Sequence, residues 1–432
     1  MKTNILLLFL IFFNISFGQN IIVLDTTNSK FRSDLEKLYS ERNQQTLNSF
    51  KINEEKSVRK NCIENYTELS KEFKLKIKKG TFINDTFYST YLNNLLQQII
   101  DSNPEYDRIK NTTLLLAFSE NPNAYAIGDD VVVLELPLIN KLKSEQELAF
   151  IICHEISHNL LKHSYKSIVK RAKYANSDVL KKQIKSVKKT KFGKGAMASN
   201  FLKENVYSNR KENRFKEHEA DSLGTILFNN TFKGNQGIVI QTLKSLETLD
   251  VATDSLVIND FKKLFTTPNQ PFNDQWINTD EFTKYKYDKT SKFWNVDSLR
   301  THPDALVRAN YIEDKFKITE SENKMTDNKK FIELKTQAKY HYVLGLYSLE
   351  NYGESLYESL ILLKNDENNI YVKNIVKENL IKIIDAKQRY EFNKYVDTPN
   401  FKSYSNSYNT FLTFIRELRL NEIKEIMLHY ST

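Results

Sequence analysis

Cysteine is scarce in this sequence, and no segment after the N-terminus is long and apolar enough to cross a bilayer. The 432 residues include only 2 cysteines, Cys62 and Cys153, and this count excludes a scaffold built on disulfides. Cys153 lies inside an apolar segment, so we expect it to pack in the core. Pairing with Cys62 is an alternative that nothing in the sequence supports.

The N-terminus has the pattern of a secretory signal. Lys2 supplies a positive charge, residues 5–13 form an apolar run, and residues 16–18 have a small-x-small cleavage pattern. We therefore predict a signal peptide at residues 1–18 and a mature protein that is soluble and exported, either periplasmic or secreted. A membrane anchor is the alternative, although the apolar run is too short to span a bilayer.

Positive charge exceeds negative charge by 9. Much of the excess falls in residues 162–194, where Asp178 is the single acidic residue. A solvated insertion is the favoured interpretation, and a docking face for an anionic membrane or an acidic substrate is the alternative. No nucleic-acid-binding module is apparent, so we expect no nucleic-acid partner.

Residues 144–163 predict a buried helix with a metal-binding motif. The segment begins with capping-box spacing, and apolar side chains recur through it at helical intervals. His154 and His158 are four positions apart, so both imidazoles face one side of a helix and can reach one ion. Glu155 stands beside the first histidine, where it can act on a water molecule at that ion. This chemistry is typical of a zinc peptidase.

A small sheet is predicted directly before this helix. Residues 113–118, 125–127 and 131–134 have the composition of strands, and a turn joins the last two. An edge strand next to the metal helix could hold an extended peptide through main-chain hydrogen bonds.

A distant carboxylate is predicted to complete the metal site from a second helix, residues 208–228. Glu217 and Asp221 are four positions apart and share one face, so this face could supply the carboxylate. Ala220 and Gly224 are small and also four apart, so another helix can approach closely there.

Three neighbouring polar residues are less favoured. His163 follows the motif by five positions, and the metzincin pattern is not met, so it is an unfavoured ligand. His218 and Glu219 point away from Glu217 around the helix, and we expect both to be bystanders.

The chain is predicted to end in a helical region. A polar stretch at 318–330 is typical of a linker, which divides the chain into a signal peptide (1–18), a catalytic domain (19–317) and a helical tail (331–432). Small and aromatic residues in the tail resemble one tetratricopeptide-type helix pair, and a plain helical bundle is the alternative. The predicted fold class is α+β, mostly α.

Four features, in order along the chain, resemble the HtpX/BepA-like zinc metallopeptidases, the family that also includes the CAAX prenyl proteases. These features are Asn123-Ala124, the motif His154 to His158, the segment Glu217 to Asp221, and Thr301-His302-Pro303 followed by Arg308. The resemblance implies a gluzincin-type domain with a small sheet beside the HExxH helix. The sequence lacks the membrane helices of HtpX and the prenyl proteases and has a helical tail. In both respects it resembles the exported, BepA-like branch.

The resemblance also implies how the metal site is built. His154, His158 and Glu217 would bind one zinc ion per chain, and Glu155 would be the general base. Asp221 would orient a ligand from behind.

Four further residues acquire roles from the same resemblance. His302 and Arg308 would lie near the scissile carbonyl, where a cation or a hydrogen-bond donor stabilises the oxyanion. The equivalent of His302 can also occupy the fourth zinc position and shut the enzyme in BepA-like members. Asn123 and Ala124 would belong to the edge strand that holds the substrate.

These predictions together indicate a zinc metalloendopeptidase that hydrolyses misfolded proteins of the cell envelope. Its tail would present substrates or contact envelope assembly partners. The alternative is a chaperone-like assembly factor whose zinc site is structural or latched. Peripheral membrane contact through residues 162–194 is a third hypothesis.

Overall fold

A computed structural model gives the fold. It describes residues 21–22, 24, 28–190, 194–249, 255–277, 305–318, 328–401 and 403–431, with the backbone alone over 194–210. The predicted signal peptide and His302 lie outside the described residues.

Helices form most of the described chain, as predicted. Those before the tail are α1 (Ser29–Asn53), α2 (Lys56–Lys78), α3 (Thr86–Ser102), α4 (Leu136–Lys141), α5 (Glu145–Leu160), α6 (His163–Asn176), α7 (Asp178–Lys189), α8 (Lys194–Thr231), α9 (Gly237–Leu246), α10 (Ile258–Phe265) and α11 (Ala305–Phe316). Those of the tail are α12 (Lys329–Ser348), α13 (Tyr352–Asn365), α14 (Ile370–Gln388), α15 (Phe392–Tyr395), α16 (Asn406–Glu417) and α17 (Leu420–His429).

One mixed sheet lies among the helices. Its strands are β1 (Phe82–Ile83), β2 (Thr113–Ala117), β3 (Ala124–Gly128) and β4 (Val131–Glu135), in the spatial order β1-β2-β4-β3. β2 and β4 are parallel, whereas the two outer pairs are antiparallel. The sequence predicts the last three strands but not β1, because two residues carry no periodicity. β3 pairs only with β4 among the described strands, so it forms an edge of the sheet.

Helix α5 carries the histidine motif and is buried along nearly all its length. The Ser144 side chain caps it by accepting from the Glu147 backbone N–H at 3.2 Å, as the capping-box spacing predicts. The prediction that this helix reaches residue 163 is wrong. α5 ends at Leu160, and Lys162 adopts a left-handed conformation with φ of 56°, which breaks the helix. His163 therefore begins α6.

Helix α8 crosses α5 at the histidine motif. A Cβ added at Gly224 would lie 3.0 Å from the Cα of His154, and Ala220, one turn earlier, has no exposed surface. Small residues therefore allow the backbone of α8 to approach the metal helix, as predicted. α8 begins at Lys194, earlier than the prediction of 208.

Within the basic segment 162–194, the described residues 163–176 and 178–189 form helices. α6 is packed, because Ile168, Val169 and Ala172 share a hydrophobic cluster with Cys62 of α2. α7 has no buried residue. The predicted solvated insertion therefore describes α7 but not α6.

The tail packs directly on the part of the chain that carries the sheet. Phe331 and Leu334 of α12 belong to the same core as α5 and its Cys153. The buried His341 contacts the Tyr88 hydroxyl at 2.6 Å through Nδ1. The other tail helices enclose a second core.

Two simpler findings complete the fold. Cys62 and Cys153 are buried free thiols in separate clusters. Over the described ranges, none of the helices combines the length and the apolar character that crossing a bilayer requires.

Candidate metal centre

The three side chains predicted as metal ligands converge in the structure. Nε2 of His154 lies 3.1 Å from Nε2 of His158. The carboxylate of Glu217 on α8 lies 3.5 Å from the first nitrogen and 3.6 Å from the second. Ligands at zinc–nitrogen distances in a tetrahedral site are about 3.3 Å apart. The spacing of the three groups therefore suits one small divalent cation.

The first histidine is oriented by a carboxylate behind it. Nδ1 of His154 lies 2.9 Å from Oδ1 of Asp221, which has no exposed surface. An ionised carboxylate only accepts, so the proton belongs on Nδ1 and the lone pair of Nε2 faces the centre.

The second histidine is oriented through a third one. Nδ1 of His158 lies 2.9 Å from Nδ1 of His163, and Nε2 of His163 lies 3.2 Å from Oε2 of Glu219. Glu219 accepts from Nε2–H of His163, which leaves Nδ1 of His163 free to accept from Nδ1–H of His158. Nε2 of His158 then also presents a lone pair to the centre.

This donor set fits a metal ion on chemical grounds. When both Nε2 atoms are unprotonated, their lone pairs lie 3.1 Å apart beside a carboxylate, and they repel one another unless a cation lies between them. A set of two nitrogens and one oxygen is also the ligand composition of several catalytic zinc sites.

Arg308 of α11 holds the acidic side of the centre together. Its Nε and Nη2 donate to the two carboxylate oxygens of Asp221 at 2.8 and 2.6 Å, and Nη1 lies 3.4 Å from Glu217. The guanidinium is almost fully buried. These contacts place Arg308 behind the ligands, so they support a positioning role. The predicted contact with a substrate carbonyl stays a prediction.

Charges in the centre shift its titrating groups in opposite directions. Burial acts to raise the pKa of Asp221, but Arg308 lowers it to about 2. The pKa of Glu217 is also below its ordinary value, because His154 and Arg308 outweigh burial. For His154, burial acts to lower the pKa, yet Asp221 and Glu217 raise it to about 10. Burial and the charge of His154 lower the pKa of His158 to about 3.

Glu155 lies farther from the nitrogen atoms of His154 than Glu217 and Asp221 do. It lies 4.0 Å from Nε2 of His154 and accepts from the backbone N–H of Ala126 in β3. Burial raises its pKa to about 7. A carboxylate that exchanges its proton near neutral pH is suited to act as a general base.

Strand β3, the predicted substrate strand, lies against Glu155. Ala124 pairs with Leu134 in the sheet, and the carbonyl of Asn123 accepts from Glu135 at 2.9 Å, so the ladder begins at Asn123. The contact between Ala126 and Glu155 brings β3 past the proposed base.

Sequence reasoning missed the pair His163 and Glu219. His163 returns to His158 only because the left-handed Lys162 reverses the chain, and helical periodicity carries no signal for that turn. Glu219 was expected to be a bystander, yet it contacts His163. His218 packs on the Tyr311 ring with centroids 4.4 Å apart.

Comparison with known proteins agrees with this geometry. The model of one family, described as peptidase family M48, matches residues 90–315. That span contains the histidine motif, Glu217, Asp221 and Arg308, together with β2, β3 and β4. No curated protein matches the chain.

Proposed function

The chain belongs to peptidase family M48, and from this premise we propose that it is a zinc-dependent metalloendopeptidase. The observation that carries the proposal is the convergence of two imidazole nitrogens and one carboxylate, with Glu155 beside them. His154, His158 and Glu217 would hold the zinc ion. A zinc ion in such a site polarises the peptide carbonyl and acidifies water.

The residues of the chain supply the proton transfers. Glu155 takes a proton from the attacking water and gives it to the leaving amine, since its pKa near 7 permits both steps. Asp221 keeps the proton of His154 on Nδ1, and the pair His163 and Glu219 does the same for His158. Their role is to keep both Nε2 lone pairs directed at the centre.

The substrate would bind along the free edge of β3. An extended peptide can add to a sheet edge through main-chain hydrogen bonds, and β3 passes Glu155 at Ala126. At the end of this strand, a cavity of about 350 Å³ lies between Gly128, His158 and Ser164. We propose that this cavity takes a substrate side chain next to the scissile bond.

Replacing Glu155 by glutamine tests the mechanism. The amide keeps the shape of the side chain but cannot take up a proton, so casein cleavage should fall at least about a hundredfold. Bound zinc, measured by atomic absorption, should remain at one ion per chain, because Glu155 is not a proposed ligand.

Glu147→Gln is the matched control. Glu147 lies on the same helix and is buried, but its carboxylate accepts from the Lys143 backbone N–H at 2.6 Å, which an amide oxygen can also do. This variant should cleave casein at the wild-type rate. Wild-type cleavage by Glu155→Gln would refute the mechanism.

We further propose that the enzyme acts outside the cytoplasm on misfolded proteins of the cell envelope, with assembly partners on its tail. The support is the signal-like pattern of residues 1–18 and the helical tail packed against the catalytic part. A reporter fused behind the first 19 residues should be exported. Retention of the reporter in the cytoplasm would contradict this part of the proposal.

A further inference from the structure

A second, larger cavity lies between the tail and the segment that leads into β3. Its volume is about 840 Å³, and its walls come from α4, α12, α13, α16 and residues 120–122. This volume is within the range of about 300 to 1,000 Å³ that is typical of ligand sites. The cavity is separate from the metal centre, since its lining includes none of the centre's residues.

The interior of this cavity is lined by acidic side chains. Glu354, Glu358 and Asp397 line it and are partly buried. Across the part of the chain that the structure describes, none of the three forms an ion pair. Glu354 is bonded by neutral donors, the Tyr342 hydroxyl at 3.2 Å and the Asn351 amide at 2.7 Å.

The mouth of the cavity is more balanced in charge than its interior. Lys141, Lys339 and Lys394 line it together with Glu120 and Glu350, and all five are exposed. Solvent screens such exposed charges. The unbalanced field therefore comes from the interior carboxylates.

Burial makes this interior charge costly. It raises the pKa of Glu354 to about 8, with a further contribution from Glu358, and that of Glu358 to about 7. Asn140 adds a neutral acceptor, because its Oδ1 is buried without a hydrogen-bond partner. An unsatisfied acceptor and carboxylates without an ion-pair partner in one cavity favour a ligand that donates hydrogen bonds and carries positive charge, which would draw the carboxylates into their ionised form.

Tyrosine rings supply the remaining wall. Tyr342, Tyr357, Tyr404 and Tyr408 line the same cavity. Aromatic faces attract ammonium and guanidinium groups, and they accommodate the aliphatic part of a lysine or arginine side chain.

We propose that this cavity binds a lysine or arginine side chain of an extended polypeptide. The inward carboxylates and the Oδ1 of Asn140 would accept from its cationic head, and the tyrosines would enclose its stem. A volume of about 840 Å³ exceeds what one side chain needs, so neighbouring substrate residues enter as well. The proposal deepens the proposed function, on which its assignment to a substrate rests.

The cavity and the metal centre are joined by the short segment 122–126, whose last three residues belong to β3. Pro122 lines the cavity, and Ala126 contacts Glu155. These residues are four positions apart, so their Cα atoms are separated by at most about 14 Å. A peptide bound along β3 would therefore place its basic residue about four positions from the scissile bond.

Binding can be measured without cleavage, in the full chain carrying Glu155→Gln. The probes are a short dye-labelled peptide with one central lysine and the same peptide with glutamine, followed by fluorescence anisotropy. The lysine peptide should bind at least about tenfold more tightly, because a buried charge pair is lost with glutamine. Adding Glu354→Gln and Glu358→Gln should abolish the difference.

A second pair of substitutions is the matched control. Glu120→Gln with Glu350→Gln removes the same amount of charge at the exposed mouth of the cavity. That variant should retain the preference for lysine within about twofold, because exposed charges contribute little.

The outcomes separate the two proposals. Equal affinity for both peptides, or a preference that survives the change at Glu354 and Glu358, would overturn the cavity assignment. Competition by spermidine as strong as that by the lysine peptide would overturn the polypeptide part, since a small cation would then suffice. Selective binding by a chain that cleaves nothing in its wild-type form would refute the peptidase function and leave the cavity assignment intact.

Discussion

The metal centre and the tail cavity each contain two carboxylates four residues apart on one helix. The pKa values of the pair in the centre are lowered, whereas those of the pair in the cavity are raised. On α8, the pKa of Asp221 is lowered to about 2 and that of Glu217 is also below its ordinary value. On α13, the pKa of Glu354 is raised to about 8 and that of Glu358 to about 7.

Burial acts in the same direction on both pairs, so it does not explain the difference. In the centre, Arg308 and His154 contact the acids and stabilise their ionised forms. In the cavity, Glu354 has the neutral donors Tyr342 and Asn351. Whether a buried carboxylate is a permanent charge or a proton carrier therefore depends on the cation that the fold brings to it.

Glu155 shows the same rule within the centre. Its distance of 4.0 Å from His154 is longer than those of Glu217 and Asp221, and burial outweighs the charges of His154 and Arg308 and raises its pKa to about 7. The site thus combines an ionised carboxylate for a metal ion with a second carboxylate that exchanges its proton near neutral pH.

Removing the internal cation should have the largest effect. Arg308→Met leaves Asp221 and Glu217 without their guanidinium partner, and breaking a buried pair in this way costs about 3–5 kcal/mol. The free energy of unfolding, measured with urea, should fall by that amount. Zinc binding should weaken in the same variant.

Lys315→Met is the control on the same helix. Lys315 is exposed and donates to the Ser222 hydroxyl at 2.7 Å. Its replacement should change the free energy of unfolding by no more than about 0.5 kcal/mol. An equal decrease in the free energy of unfolding in the two variants would show that the stability of the centre does not depend on Arg308.

The supports of the two histidines should differ in strength. Asp221→Asn can turn an amide donor toward Nδ1–H of His154, and zinc affinity should fall about 10- to 100-fold. The carboxylate of Glu219 is 37% exposed, so water can replace it, and Glu219→Gln should cost less than about tenfold. Competition with a chromophoric chelator measures both. A larger loss of zinc affinity in Glu219→Gln than in Asp221→Asn would contradict this assignment.

The cavity pair should give an effect that is visible as a pH dependence. The pKa values of Glu354 and Glu358 are above the ordinary 4.5 in the folded chain. The unfolded chain therefore binds fewer protons between about pH 4.5 and 8, and stability falls as pH rises through that window. The groups that face the pair are Glu120, Asp397 and Lys141, with the Tyr342 hydroxyl.

Replacing both residues by glutamine should remove this decline. The free energy of unfolding of the Glu354→Gln, Glu358→Gln variant, relative to wild type, should increase from pH 5 to pH 8 and be constant below that range. A difference that does not vary with pH would show that the two carboxylates titrate normally.

Local patterns predicted much of the fold. The cap at Ser144, the strands β2, β3 and β4, and the small residues at Ala220 and Gly224 all agree with the structure. These features depend on spacing within one element, and such spacing is visible in a sequence. The end of α5 at Leu160 was not predicted. Lysine rarely adopts the left-handed conformation that Lys162 has, so the residue type gives no signal for the break.

The candidate site was predicted where its members share a helix. His154 and His158 are one turn apart on α5, and Glu217 was chosen over Asp221 by resemblance to a family. The contacts with His163 and Glu219 were not predicted, since they join residues from different helices after a chain reversal.

The sequence by itself determined the donor types and their helical spacing: two imidazoles one turn apart, an adjacent carboxylate, and a second helix with small residues for close approach. Periodicity is a local property, so it needs no knowledge of the rest of the chain. Only the tertiary structure decided which carboxylates remain ionised, because the cations that stabilise them come from other helices. Arg308 reaches the acids of α8, whereas Glu354 has only neutral hydrogen-bond donors, so burial and neighbouring carboxylates raise its pKa.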